Sequence, residues 1–90
     1  MTKVNVSIFA EKQLKKIPHN IKEALRFWAE SVERFGVSEV RKLKGYHDEP
    51  LKGERKGQRS IRLNRAYRAI YIESNGCLEI CVIEVNKHDY

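Results

Sequence analysis

One apolar stripe constrains the fold more than any other feature of this chain. Ile21, Ala24, Leu25, Trp28, Val32 and Phe35 recur at helical spacing and line one side of a helix of about four turns. A helix with one apolar side needs something to cover it. The flanking sequence supplies the cover. Residues 4–8 alternate apolar and polar side chains, as a half-buried strand does. Residues 10–17 read as a first helix ended by Pro18, and Asn20 suits the N-cap of the second. Gly36 closes the stripe, and a short helix over 37–43 would turn Val40 and Leu43 inward.

Residues 45–57 read as a loop, with Pro50, three glycines and six charges. Strands follow at 58–64, 67–73 and 77–85, the last two joined by an Asn75-Gly76 hairpin turn. Residues 86–90 read as a polar tail. The order predicts one α+β domain over residues 1–90. An N-terminal strand and a helical hairpin should pack on one face of a mainly antiparallel, four-stranded sheet. The other face stays open for a ligand.

Several classes drop out early. The longest apolar run, residues 80–83, is four residues, too short for a transmembrane helix. The N-terminus lacks the apolar stretch of a signal peptide, so the expected location is cytoplasmic and no membrane role is expected. Cys77 and Cys81, placed on one strand, would point to the same side about 13 Å apart, too far for a disulfide. Without a Cys/His cluster no metal site is expected, and no cofactor is implied.

The charge is lopsided. Residues 52–68 hold Lys52, Arg55, Lys56, Arg59, Arg62, Arg65 and Arg68 against one acid, Glu54, while the other residues hold 11 basic and 11 acidic groups. All of the net +6 sits in one segment. A one-sign segment suits a polyanion, and nucleic acid is the commonest. The bland alternative is a basic surface strand kept soluble by its charge.

No Gly-rich phosphate loop, GxGxxG, HExxH or CxxC is present, and Asp48-Glu49 alone is a weak metal signal. RNA can be cut without a metal: its 2′-hydroxyl attacks the adjacent phosphate. The protein then has to accept that proton, neutralise the phosphorane and protonate the leaving 5′-oxygen. Arginine suits the second task. The candidates are Glu49, Lys52, Arg59, Arg62, Arg68, His88, Asp89 and Tyr90. Arg68 stands mid-strand among apolar neighbours, where an arginine needs an anionic partner. That partner is either a ligand or, more blandly, Glu84 or Glu73 on a neighbouring strand. His19 and His47 read as structural, and Tyr46, Tyr67 and Tyr71 mostly as core.

The strings Glu49-Pro50-Leu51-Lys52-Gly53, Arg55-Lys56-Gly57-Gln58-Arg59-Ser60-Ile61-Arg62-Leu63, Tyr67-Arg68-Ala69-Ile70-Tyr71 and Glu84-Val85-Asn86-Lys87-His88-Asp89-Tyr90 together resemble the RelE/ParE superfamily of type II toxins. The most similar branch is that of the HigB/RelE-like messenger-RNA interferases. The resemblance implies a ribosome-dependent, metal-independent endoribonuclease. It also implies catalytic roles for Arg68 and Arg62 at the phosphate, for Glu49 or His88 as base, and for Tyr90 or His88 as acid. Lys52, Arg55, Lys56, Arg59, Arg65 and Lys87 would contact RNA. This chain carries arginines where RelE uses lysines, which favours Glu49 or His88 over a lysine base. The implied partners are the ribosome with its message and a cognate antitoxin, with a helix-turn-helix, from a neighbouring gene. Operator DNA would be reached only through that antitoxin. Two alternatives stay open: a ParE-like inhibitor of DNA gyrase, and a non-catalytic basic RNA-binding module.

Overall fold

A computed structural model describes residues 2–87 of the chain. Its elements run β1 (Lys3–Val6), α1 (Ile8–Leu14), α2 (His19–Phe35), α3 (Val37–Arg41), β2 (Glu49–Pro50), β3 (Gln58–Arg62), β4 (Tyr67–Ser74) and β5 (Glu79–Lys87). Single 3-10 turns lie at Lys44–Tyr46 and Gly53–Arg55. Among the described residues the sheet has five strands in the order β1-β5-β4-β3-β2. Sequence reasoning found four. The fifth, β2, is two residues of the expected loop, and its proline is tolerated because the strand is an edge. The β1–β5 pair is parallel and the rest are antiparallel.

The first strand ends sooner than its alternation suggests. Ser7 Oγ accepts a hydrogen bond from the Ala10 amide at 3.1 Å, which starts α1 and lifts Ile8 out of the strand to 75 % exposure. Asn20 is not the cap of α2: Pro18 takes that place, and its carbonyl receives the Ile21 and Lys22 amides. Gly36 ends α2 at φ 88°, ψ 150°. The stripe residues Ile21, Leu25, Trp28 and Val32 are buried, but Phe35 and Leu43 stay more than half exposed. After the Gly36 turn, Val40 is buried as expected, and Val37 joins it in the core.

The core lies between the helices and one sheet face. Trp28 packs on Tyr71 with ring centroids 5.1 Å apart, among Ile61, Ala69, Ile80, Val82 and Val85. Pairing of β4 with β5 jumps from Ile70↔Glu84 to Tyr71↔Val82, a bulge that skips Ile83. It keeps Val82 and Val85 on the same side as Ala69 and Tyr71. Cys77 is not on β5. It lies in the hairpin turn, where Asn75, Gly76 and Cys77 all have positive φ. Strand alternation leaves Gln58, Ser60, Arg62, Arg68, Ile70, Glu84 and Asn86 on the face away from the helices. Among the described residues, no helix is long and apolar enough to cross a membrane.

Candidate functional site

The open face is built around one register. Arg62 on β3 stands directly opposite Arg68 on β4. Like charges facing each other across strands are unfavourable unless something anionic joins them. The turn between them is fixed by Asn64, whose Oδ1 accepts the Ala66 and Tyr67 amides at 2.7 and 2.8 Å. On the other side, β2 sets Glu49 beside Ser60. Together these elements make a cleft of about 70 Å³ lined by Glu49, Ser60, Arg62, Arg65, Arg68, His47, Asn64 and Tyr67.

Among the described residues, the arginines of the cleft, Arg62, Arg65 and Arg68, have no ion-pair partner. Arg68 Nε is buried and has no hydrogen-bond partner among the described residues either. The two carboxylates that could have neutralised Arg68 are engaged elsewhere. Glu84 receives Arg55 Nη2 at 2.7 Å and also the Asn86 amide group. Glu73 lies on the helix side, bound by Arg41 and by Cys77 Sγ. Three guanidinium groups thus surround a cleft whose lining includes one carboxylate, Glu49. That arrangement can grip a phosphodiester in bidentate fashion and offer a proton acceptor at its edge.

Not every expected residue joins it. Arg59 is an odd number of residues from Arg62 and so faces the helices, where its Nε meets Asp48 Oδ1 at 2.7 Å. Burial works against the Arg59 charge, but Asp48 outweighs it and raises the pKa above the ordinary arginine value. Arg59 is thus paired with Asp48 and stands outside the cleft lining. Arg55 is spent on Glu84, with Gln58 Oε1 2.9 Å from its Nε. Lys52, Lys56 and Lys87 are exposed and stand outside the cleft lining. His88, Asp89 and Tyr90 lie outside the described residues.

Sequence reasoning also missed residues. His47, read as structural, lines the cleft, with a left-handed backbone at φ 46°, ψ 47°. Its spacing of two from Glu49 was the available signal. Ser60, Asn64 and Tyr67 are the other additions. Among the described residues, no group of three or more His, Cys, Asp and Glu side chains could hold a metal ion.

No family model and no curated protein matches the sequence. Solved structures do. A chain of the RelBE2 toxin–antitoxin complex from Mycobacterium tuberculosis superposes with a TM-score of 0.70, covering 97% of this chain and 98% of its own at 24% identity. The fold is that of the RelE-like toxins. The YoeB/ParE toxin from Agrobacterium tumefaciens matches with a TM-score of 0.74 at 19% identity, covering 98% of this chain and 100% of its own. The archaeal RelE–RelB complex from Pyrococcus horikoshii gives 0.73 at 18% identity, over 96% and 93%. The RelE-like fold thus spans nearly the whole chain.

Proposed function

We propose that the chain is the toxin of a type II toxin–antitoxin module, a metal-independent endoribonuclease that cuts messenger RNA on the ribosome. The observation that carries this reading is Arg68: a half-buried arginine whose Nε has no partner among the described residues, directly opposite Arg62 and in one cleft with Glu49. A scissile phosphate supplies the missing anion. Arg68 and Arg62 neutralise the phosphorane, and Arg65 at the turn holds the phosphodiester from the other side. Glu49 accepts the 2′-hydroxyl proton, and His88 or Tyr90 returns one to the 5′-oxygen. The products are a 2′,3′-cyclic phosphate and a 5′-hydroxyl. Exposed Lys52, Lys56 and Lys87 add to the attraction for RNA.

The partner is an antitoxin from the adjacent gene, through which the complex reaches operator DNA. A groove of about 410 Å³ beside α2 and α3, lined by Phe27, Phe35, Val40 and Leu43, supports an apolar antitoxin segment there. The test is induced expression with mapping of messenger 5′ ends, then cleavage of ribosome-bound message by purified protein. Arg68→Ala should slow cleavage roughly 10²–10³-fold while leaving the fold intact. Parent protein that inhibits gyrase supercoiling and spares message would replace this reading with the ParE-like one. Salt-dependent RNA binding without cleavage would replace it with the binding module.

A further inference from the structure

The segment His47-Asp48-Glu49 passes the sheet edge with its side chains on alternate sides. His47 and Glu49 line the cleft. Asp48 points the other way, and its side chain is 1% exposed. Three elements converge on it there. Arg59 of β3 donates from Nε to Oδ1 at 2.7 Å, and Tyr71 of β4 donates its hydroxyl to Oδ2 at 2.5 Å. Arg41 of α3 brings its Nε within 3.7 Å of Oδ2. A carboxylate so enclosed holds its place, because leaving would strand two part-buried guanidinium groups and leave its own buried charge unpaired.

We propose that Asp48 is a positioning residue of the cleft: from beneath the sheet it fixes the backbone that carries His47 and Glu49 to the reacting phosphate. The proposal rests on the cleft being the site of RNA cleavage. The two residues it serves are otherwise weakly held. Among the described residues, neither the His47 nor the Glu49 side chain takes part in a hydrogen bond or ion pair with another side chain. Glu49 belongs to a two-residue edge strand, and His47 holds a left-handed backbone that few non-glycine residues adopt. Backbone pairing of Glu49 with Ser60 and the bond from the His47 amide to the Lys44 carbonyl set their register, and Asp48 between them supplies the side-chain anchor of the segment. The same network contains a control. Glu73 binds Arg41 from the opposite end and does not adjoin the cleft.

The experiment compares the full chain with Asp48→Asn and Glu73→Gln. Both should lower thermal stability. Asp48→Asn should in addition lower kcat per folded molecule by roughly 10–100-fold, with KM within about twofold of the parent. Glu73→Gln should keep the parental kcat. NMR gives a readout independent of activity: the His47 ring and Glu49 carboxyl signals should be single in the parent and in Glu73→Gln, and split or broadened in Asp48→Asn. A parental kcat and single His47 signals in Asp48→Asn would overturn the proposal, as would an equal loss of kcat in Glu73→Gln. If the parent cuts no RNA, the cleavage reading falls and the NMR comparison alone decides whether Asp48 positions the segment. If Asp48→Asn does not fold, Tyr71→Phe withdraws one donor from Asp48 and keeps its ion pair. A smaller kcat loss in the same direction is then expected, and none would overturn the proposal.

Discussion

Arg55 Nη2 lies 2.7 Å from Glu84 Oε1, and that pair decides the charge of the neighbouring cleft. Glu84 stands opposite Ile70 on the open face, one alternation from Arg68. Left alone, its carboxylate would be within reach of the Arg68 guanidinium. Arg55, on the turn between β2 and β3, holds it instead. The six arginines at 41, 55, 59, 62, 65 and 68 thus divide into two groups. Arg41, Arg55 and Arg59 each have a carboxylate of their own. Arg62, Arg65 and Arg68 have none among the described residues, and these three share the cleft.

Arg55→Ala should weaken RNA binding by more than the loss of one surface charge. With Arg55 gone, Glu84 is free to turn to Arg68 and compete with phosphate. Affinity for a single-stranded RNA should fall about tenfold, which is about 1.4 kcal/mol. Adding Glu84→Gln should recover most of the loss, since the competing carboxylate is removed. Fluorescence anisotropy at two salt concentrations measures both. A double variant as weak as Arg55→Ala would show that Glu84 never competes.

Arg68→Met should stabilise the fold while slowing cleavage roughly 10²–10³-fold. The guanidinium Nε is buried without a partner among the described residues, so its removal relieves a desolvation cost, and methionine keeps much of the aliphatic stem. A gain of about 0.5–2 kcal/mol in urea unfolding is expected, the usual size when a functional site is relaxed. A loss of similar size would mean that Arg68 is satisfied in the folded protein.

These contrasts mark what was legible in the sequence. The stripe Ile21, Leu25, Trp28 and Val32 was readable because helical period directly reports a covered side. Phe35 and Leu43 fit the same period but are exposed, because Gly36 redirects the chain and period cannot say where cover ends. Arg59 was separable from Arg62 by strand parity alone, yet charge counting merged them. Asp48 left no charge-pattern signal, since its partners Arg59, Tyr71 and Arg41 come from three separate elements. Cys77 looked like strand because the Asn-Gly signal specifies a two-residue turn, whereas three residues here have positive φ.

Gly36→Ala and Gly45→Ala should differ in sign. A Cβ at either position would meet no atom within 4 Å, so sterics with neighbours do not separate them. Backbone does. Gly36 holds φ 88°, ψ 150°, a region close to glycine-only, and substitution should cost about 1–3 kcal/mol. Gly45 has no positive φ, and alanine there should be neutral or stabilise by up to about 1 kcal/mol through the unfolded chain. Urea unfolding of the two variants measures this. Equal effects would contradict the junction geometry.

Tyr71 should make the protein sensitive to alkali. Its hydroxyl is buried, donates to Asp48 and accepts from Arg41 Nη2 at 3.1 Å. Burial first, and then the Asp48 carboxylate, push its pKa well above 10, while Arg41 pulls partly back. The native protein therefore keeps a proton that the unfolded chain loses near pH 10. The stabilising contribution is complete below that pH. It is lost above it at about 1.4 kcal/mol per pH unit, until the folded state also ionises. Tyr71→Phe should cost about 1–3 kcal/mol at pH 7, because Asp48 Oδ2 loses its shortest donor. The variant has no proton to lose there, so the gap between it and the parent should narrow by about 1 kcal/mol between pH 10 and 11. Both proteins retain any slope from Tyr46, whose pKa burial also raises, so the difference isolates Tyr71. A gap that stays constant from pH 8 to 11 would mean that the Tyr71 hydroxyl gives up its proton as readily in the folded protein as in the unfolded chain.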